Sequence, residues 1–130
     1  MSKKIIKTDK ASLPIGPYNQ AVSVSTTTNQ LIYTAGQIPL DKQGNMVAGG
    51  IKEQTEQVIA NLKAVLEHGG SSLDKVVKAT VFMKDLNDFA GMNEVYAKYF
   101  KSETAPARST IQVARIPKDS LVEIEVVAYI

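Results

Sequence analysis

The stretch Leu121-Val122-Glu123-Ile124-Glu125-Val126-Val127-Ala128-Tyr129-Ile130 is apolar on both of its alternating rows. Val122, Ile124, Val126 and Ala128 share one parity, and Leu121, Val127 and Tyr129 share the other. Strand side chains alternate between the two faces of a sheet, so one row here packs on elements of its own chain and the second also seeks cover. Two amphipathic helices are legible upstream, and two helices can cover only one face of such a sheet. The other face therefore asks for a partner, and self-association is the economical answer.

Working back from that strand, residues 108–115 read as another, joined to it by Ile116-Pro117-Lys118-Asp119-Ser120 and preceded by a loop containing Pro106. Phe89, Met92, Val95, Tyr96, Tyr99 and Phe100 form the apolar stripe of a helix that Asn87 or Asp88 can cap, and the stripe reads as core packing rather than a cofactor box. Residues 75–84, with Val76, Val77, Val81 and Phe82, read as a buried strand. From Ile51 the apolar positions Val58, Ile59, Leu62, Val65 and Leu66 fall at helical spacing until Gly69-Gly70 stops the pattern. Residues 41–45 and Leu13-Pro14-Ile15-Gly16-Pro17 are turns by composition, and 3–8, 18–25 and 31–36 read as strands. The order βββαβαββ predicts one α+β domain spanning residues 1–130, a mixed sheet with both helices on one face.

With 130 residues, 44% hydrophobic and 22% charged, the chain can bury a core and has neither the composition of a disordered segment nor an apolar run long enough for a membrane helix. The amino terminus lacks the pattern of a signal peptide, which predicts a cytoplasmic protein. There is no cysteine, which removes disulfides, thiolate metal sites and thiol nucleophiles together. The single histidine, His68, cannot make a histidine metal cluster, so no metal is expected. At the end of the first helix His68 suits the helix dipole better than a catalytic role. A net charge of +2 does not argue for nucleic acid; Lys3, Lys4, Lys7 and Lys10 read as a solvated terminal strand.

The groups left for chemistry are carboxylates, hydroxyls, Arg, Lys and backbone donors. In Pro106-Ala107-Arg108-Ser109-Thr110 an arginine follows a proline loop and opens a strand, where its planar fork can grip a carboxylate or form an ordinary surface ion pair. Glu123 and Glu125 interrupt the last strand on one face; they mark either a partly wet or ion-paired face or a general base raised by apolar neighbours. If 108–115 and 121–130 pair as an in-register hairpin with Arg115 opposite Leu121, then Glu123 lies opposite Val113. That is ~17 Å along the strand from Arg108 and on the other parity. The two would not meet within one chain, so a shared pocket requires a bulge or a neighbouring subunit.

Pro106-Ala107-Arg108-Ser109, Ala114-Arg115-Ile116-Pro117-Lys118-Asp119 and Val122-Glu123-Ile124-Glu125 resemble the carboxyl-terminal signature of the Rid (YjgF-type) family. The resemblance extends through Ile15-Gly16-Pro17-Tyr18, Gly36-Gln37-Ile38-Pro39, residues 80–86 and Met92-Asn93-Glu94-Val95-Tyr96. It implies a chorismate-mutase-like protomer, a homotrimer whose sheets form a central barrel, and ligand clefts between subunits. It also implies that Arg108 holds a substrate carboxylate, that the Gly36 backbone adds a hydrogen bond, and that Glu123 positions or activates water. Tyr18, Phe89 and Asn93 would line the same cleft. Each also has a plain structural reading: Tyr18 and Phe89 as packing, Asn93 as helix surface. The chain departs from the family at Thr110, commonly cysteine, and at Ala35, commonly serine. Thr110 would keep a substrate-side position without thiol chemistry.

The activity so implied is cofactor-independent hydrolysis of reactive 2-imino or 2-enamino acids to 2-keto acids and ammonia. A keto-acid-binding regulatory trimer would use the same Arg108 without needing Glu123. An endoribonuclease or translation inhibitor would want a pair of histidines for acid–base cleavage and a strong basic stripe with aromatic stacking positions, neither of which this sequence has.

Overall fold

The structure, a computed structural model, describes residues 2–6, 10, 16–25 and 30–130. In chain order the elements are β1 (Ser2–Ile6), β2 (Ala21–Ser25), β3 (Leu31–Tyr33), α1 (Ile51–His68), β4 (Val76–Met83), α2 (Phe89–Tyr99), β5 (Ala107–Gln112) and β6 (Val122–Tyr129). This is the expected βββαβαββ order in an α+β domain. The strands are mostly shorter than their sequence patterns: β2 begins at Ala21 rather than Tyr18, and β3 stops at Tyr33 rather than Gly36. Thr8 and Leu13-Pro14-Ile15 lie outside the described residues.

Both helices begin and end where local chemistry dictates. Gly49 enters α1 at φ +109°, in the region that favours glycine, and a Cβ there would sit 2.6 Å from Glu53 Cγ. The Glu53 carboxylate then accepts from the Gly50 N–H at 2.9 Å. His68 is the exposed last residue of α1, before Gly69. Ahead of α2, the Asp85 side chain accepts from Asn87 N at 2.8 Å and caps a short 3₁₀ turn, Leu86–Asp88, that leads into the helix. Asp88 occupies the N-cap position of α2, one of the two the sequence pattern offers, but its side chain makes no capping hydrogen bond; Asp85 caps the turn before it.

The main sheet has the order β3-β6-β4-β5, with β6 antiparallel to both β3 and β4 and β5 parallel to β4; β1 and β2 form a separate antiparallel pair. The hairpin supposed between β5 and β6 does not form, because β4 lies between them. Ala79 of β4 faces Arg108 on one side, and Phe82 of β4 faces Glu123 on the other. The physical reason lies in both connections of β5. The α2 crossover delivers it parallel to β4, and its link to β6 is no two-residue turn. That link passes through Pro117–Asp119, where Lys118 and Asp119 take φ +58° and +56°, and is long enough to carry the chain past β4.

Alternation then divides the sheet. Ala79, Val81 and Met83 of β4 and Val122, Ile124, Val126 and Ala128 of β6 are buried beneath both helices, against Val58, Ile59, Leu62 and Leu66 of α1 and Met92, Val95 and Tyr96 of α2. The opposite face carries Phe82, Glu123, Glu125 and Val127, and is flanked by Tyr33 at 72% exposure and Ile111 at 45%. Large apolar side chains this open within one chain agree with a face that requires cover. Ion pairs Lys52–Glu94 (2.5 Å) and Lys98–Glu56 (2.7 Å) link the exposed flanks of α1 and α2.

One buried polar contact ties α1 to the start of β6: Gln54, 7% exposed, accepts from Leu121 N at 2.8 Å. Gln54→Leu preserves bulk but strands that N–H. Urea unfolding should reveal a loss of about 1–3 kcal/mol, and an unchanged unfolding midpoint would contradict the role given to Gln54.

Candidate functional site

Arg108 is the second residue of β5 and shares the helix face of the sheet with its neighbour Ala79. Its side chain therefore runs beneath α2, where Phe89, Asn93 and Tyr96, at spacings of four and three, lie along one helix face. Arg108 Nη1 donates to Asn93 Oδ1 at 2.8 Å. The guanidinium carbon lies 4.7 Å from the Tyr96 ring centroid, 5.1 Å from Tyr18 and 5.5 Å from Phe89, so three aromatic rings surround one cation. Gly16 closes in from the chain preceding Tyr18: a Cβ on it would meet Asn93 Nδ2 at 3.0 Å and Arg108 Nη2 at 3.4 Å.

Tyr18, Phe89, Arg108 and Thr110 line a cavity of about 190 Å³ beside this cluster. Thr110 belongs there because it follows Arg108 by two residues on the same face, opposite Val81. The polar atoms around the cluster are incompletely satisfied. Arg108 Nε, Thr110 Oγ1 and Tyr96 Oη are buried without a hydrogen-bond partner among the described residues. Burial pulls the Arg108 pKa down, and it pushes the Tyr96 phenol well above its ordinary value, with Arg108 opposing that rise. Guanidinium nonetheless remains charged in proteins. No carboxylate among the described residues forms an ion pair with Arg108. A partly buried cation with an unused donor and no counter-charge among the described residues has the chemistry to accept a small anion, and its planar fork suits a carboxylate.

Glu123 lies elsewhere. It is on the open face, opposite Phe82, whereas Arg108 is on the helix face with β4 intervening. The opposite parity inferred from the sequence holds, although the pairing used to infer it does not. Gly36 accompanies Glu123: a Cβ on Gly36 would fall 1.9 Å from Glu123 Oε1, so any other residue here would displace the carboxylate from its present position. Hydrogen bonds Gln37 N to Ile124 O (2.9 Å) and Ile124 N to Gln37 O (3.2 Å) fix the approach. Ala35, preceding Gly36, is exposed. Burial, and secondarily the neighbouring Glu125, raises the Glu123 carboxyl above its ordinary 4.5.

The structure thus gathers Tyr18, Phe89, Asn93, Arg108 and Thr110 at one place and Gly36 and Glu123 at another. Tyr96 is the site residue that sequence reasoning assigned only to the core. The available signal was its spacing from Phe89 and Asn93, which puts it on their side of α2. Among the described residues, no group of three or more His, Asp or Glu is placed to hold a metal ion.

A carboxyl raised on folding holds its proton more tightly in the folded chain. Its stabilising effect is fully present below the unfolded value and is lost as pH rises through the raised folded value. Glu123→Gln removes that loss. The variant should resist urea better than the parent near about pH 7, with the advantage vanishing near about pH 4. A difference independent of pH would contradict the origin assigned to the shift.

Residues 8–130 match the family described as Endoribonuclease L-PSP. Over 130 residues the chain is 55% identical to a RutC family protein of Pyrococcus abyssi, covering 99% of this chain and 98% of the relative. It is 45% identical over 127 residues to the 2-iminobutanoate/2-iminopropanoate deaminase of Mus musculus, covering 97% of this chain and 90% of that one. The crystal structure of E. coli TdcF with bound serine is similar at a TM-score of 0.72 and 42% identity, covering 98% of each chain. With such matches running through nearly its whole length, this chain belongs to the Endoribonuclease L-PSP family, the Rid (YjgF-type) family whose signatures its sequence carries.

Proposed function

We propose that the protein hydrolyses small reactive 2-imino acids and their enamine tautomers to 2-keto acids and ammonia. The observation that carries this reading is Arg108, partly buried among three rings, hydrogen-bonded to neutral Asn93 and paired with no described carboxylate. The name of the mouse relative and the serine in the TdcF structure, an amino acid bearing a carboxylate, support it.

In this reading Arg108 takes the substrate carboxylate in its fork, and Asn93 and the rings hold the guanidinium in one orientation. The electrophilic imine carbon next to that carboxylate is then presented to water from a fixed direction. The water oxygen bonds to the imine carbon as Glu123 accepts one water proton and passes it to nitrogen. The resulting carbinolamine collapses to the ketone as its hydroxyl proton is transferred to nitrogen and the C–N bond breaks to release ammonia. The imine is already activated, so the reaction needs no cofactor.

Arg108 and Glu123 occupy opposite faces of one sheet, so the Glu123 serving a given Arg108 comes from another copy of the chain. Three copies closing their open faces into a barrel would cover Tyr33 and Ile111 and form three clefts of this kind. The family description names an endoribonuclease, but the one histidine of the chain is exposed at the end of α1 and belongs to neither cluster. Acid–base cleavage of RNA is therefore the weaker reading.

The test is keto-acid release when the purified protein is added to a threonine dehydratase reaction. The wild type should accelerate release. Losing a bidentate charged contact costs ~3 kcal/mol, so Arg108→Ala should lower kcat/KM roughly 10²-fold. Glu123→Gln should lower turnover by about 10²–10⁴-fold while keto-acid binding survives. Full turnover by Glu123→Gln would contradict the mechanism, and failure of the wild type to accelerate release would favour a ligand-binding regulator.

A further inference from the structure

Tyr18, one wall of the Arg108 pocket, belongs neither to the four-stranded sheet nor to either helix; it lies between Gly16 and β2, which pairs with β1. The next residue fastens this stretch to the start of β5. Asn19 N donates to Pro106 O at 3.3 Å, its side-chain amide donates to the Ala105 carbonyl, and it forms a one-residue parallel bridge with Ala107. Those acceptors need a partner: Ala105 is 1% exposed, Pro106 is buried, and β5 is an edge strand of the four-stranded sheet. With Asn19 level with Ala107, Tyr18 stands level with Pro106, one pleat before Arg108 and on the same side of the strand. Its ring then comes to rest 5.1 Å from the guanidinium carbon.

We infer that Asn19 is a positioning residue of this site: by locking the chain to the start of β5 it holds Tyr18 over Arg108, and so sets affinity for a 2-keto or 2-imino carboxylate without touching it. The inference rests on the Arg108 cavity being the ligand site. A separate clamp, Lys3 Nζ donating to Val76 O at 3.2 Å and to Thr104 O, keeps the β1–β2 pair attached. Loss of the Asn19 contacts therefore shifts the segment around Tyr18 relative to β5 while Lys3 still holds the pair.

The experiment is calorimetric titration of 2-ketobutanoate into the wild type, Asn19→Ala, Tyr18→Ala, their double variant and Arg108→Ala. Asn19→Ala should weaken binding about fivefold in the wild-type background and less than about twofold in the Tyr18→Ala background, since one effect passes through the other. Asn19→Asp, equal in size but presenting an acceptor to the Ala105 carbonyl, should weaken binding at least as much as Asn19→Ala. A general loosening of the fold would instead give additive losses. Additive losses, or no loss at all, alongside abolished binding in Arg108→Ala would overturn the role of Asn19 and leave the proposed function standing. Undiminished binding in Arg108→Ala would overturn the proposed function and this inference with it.

Discussion

The charge on Arg108 is the constraint around which the site is arranged. Withdrawing a cation from water costs several kcal/mol unless its surroundings compensate, and the compensation here is deliberately partial. Three aromatic faces contribute roughly 0.5–2 kcal/mol each, and Asn93 accepts one hydrogen bond at 2.8 Å. A carboxylate in place of Asn93 would satisfy the guanidinium more completely and would close it to ligands. Neutral Asn93 and polarisable rings steady the group and leave its charge available, while Nε and the Thr110 hydroxyl, which have no partner among the described residues, mark where further hydrogen bonds are wanted.

The topology decides what this arrangement can do alone. Because β4 separates β5 from β6, the cation and the candidate base are presented on opposite faces of one sheet. The helix face is closed by α1 and α2, and the open face carries Glu123 held against Gly36. In the proposed function one chain therefore offers two half-sites. Assembly would join them, and would cover the apolar side chains that a single chain leaves in water. The same demand for cover and the same division of chemistry follow from the alternation of a single strand, β6.

Much of this was legible in the sequence, for reasons that vary by element. The helix at Ile51–His68 declares itself through 3.6-residue periodicity and glycines at both ends. The parity of Arg108 and Glu123 was readable because strand alternation is local. Sheet neighbours are not local: β5 and β6 follow one another in the chain, yet the α2 crossover and the turn at Pro117–Asp119 place β4 between them. Tyr96 was obscured because a buried aromatic in a helical stripe looks the same whether it packs on aliphatic neighbours or on a guanidinium. Asn19 was invisible for a similar reason, since its contacts are to backbone carbonyls of a loop distant in sequence. Gly36 was flagged by resemblance, and its physical reason, the Glu123 carboxylate lying where a Cβ would be, required coordinates.

The central claim is that the guanidinium of Arg108 receives a carboxylate, and the group that reports on it most directly is its own Nε–H. In a ¹H–¹⁵N spectrum, with the Arg108 Nε–H signal assigned by its absence from Arg108→Lys, 2-ketobutanoate should shift that signal to a saturating limit. The corresponding neutral amide should leave it in place. A signal that ignores the acid, or moves equally with acid and amide, would contradict the account.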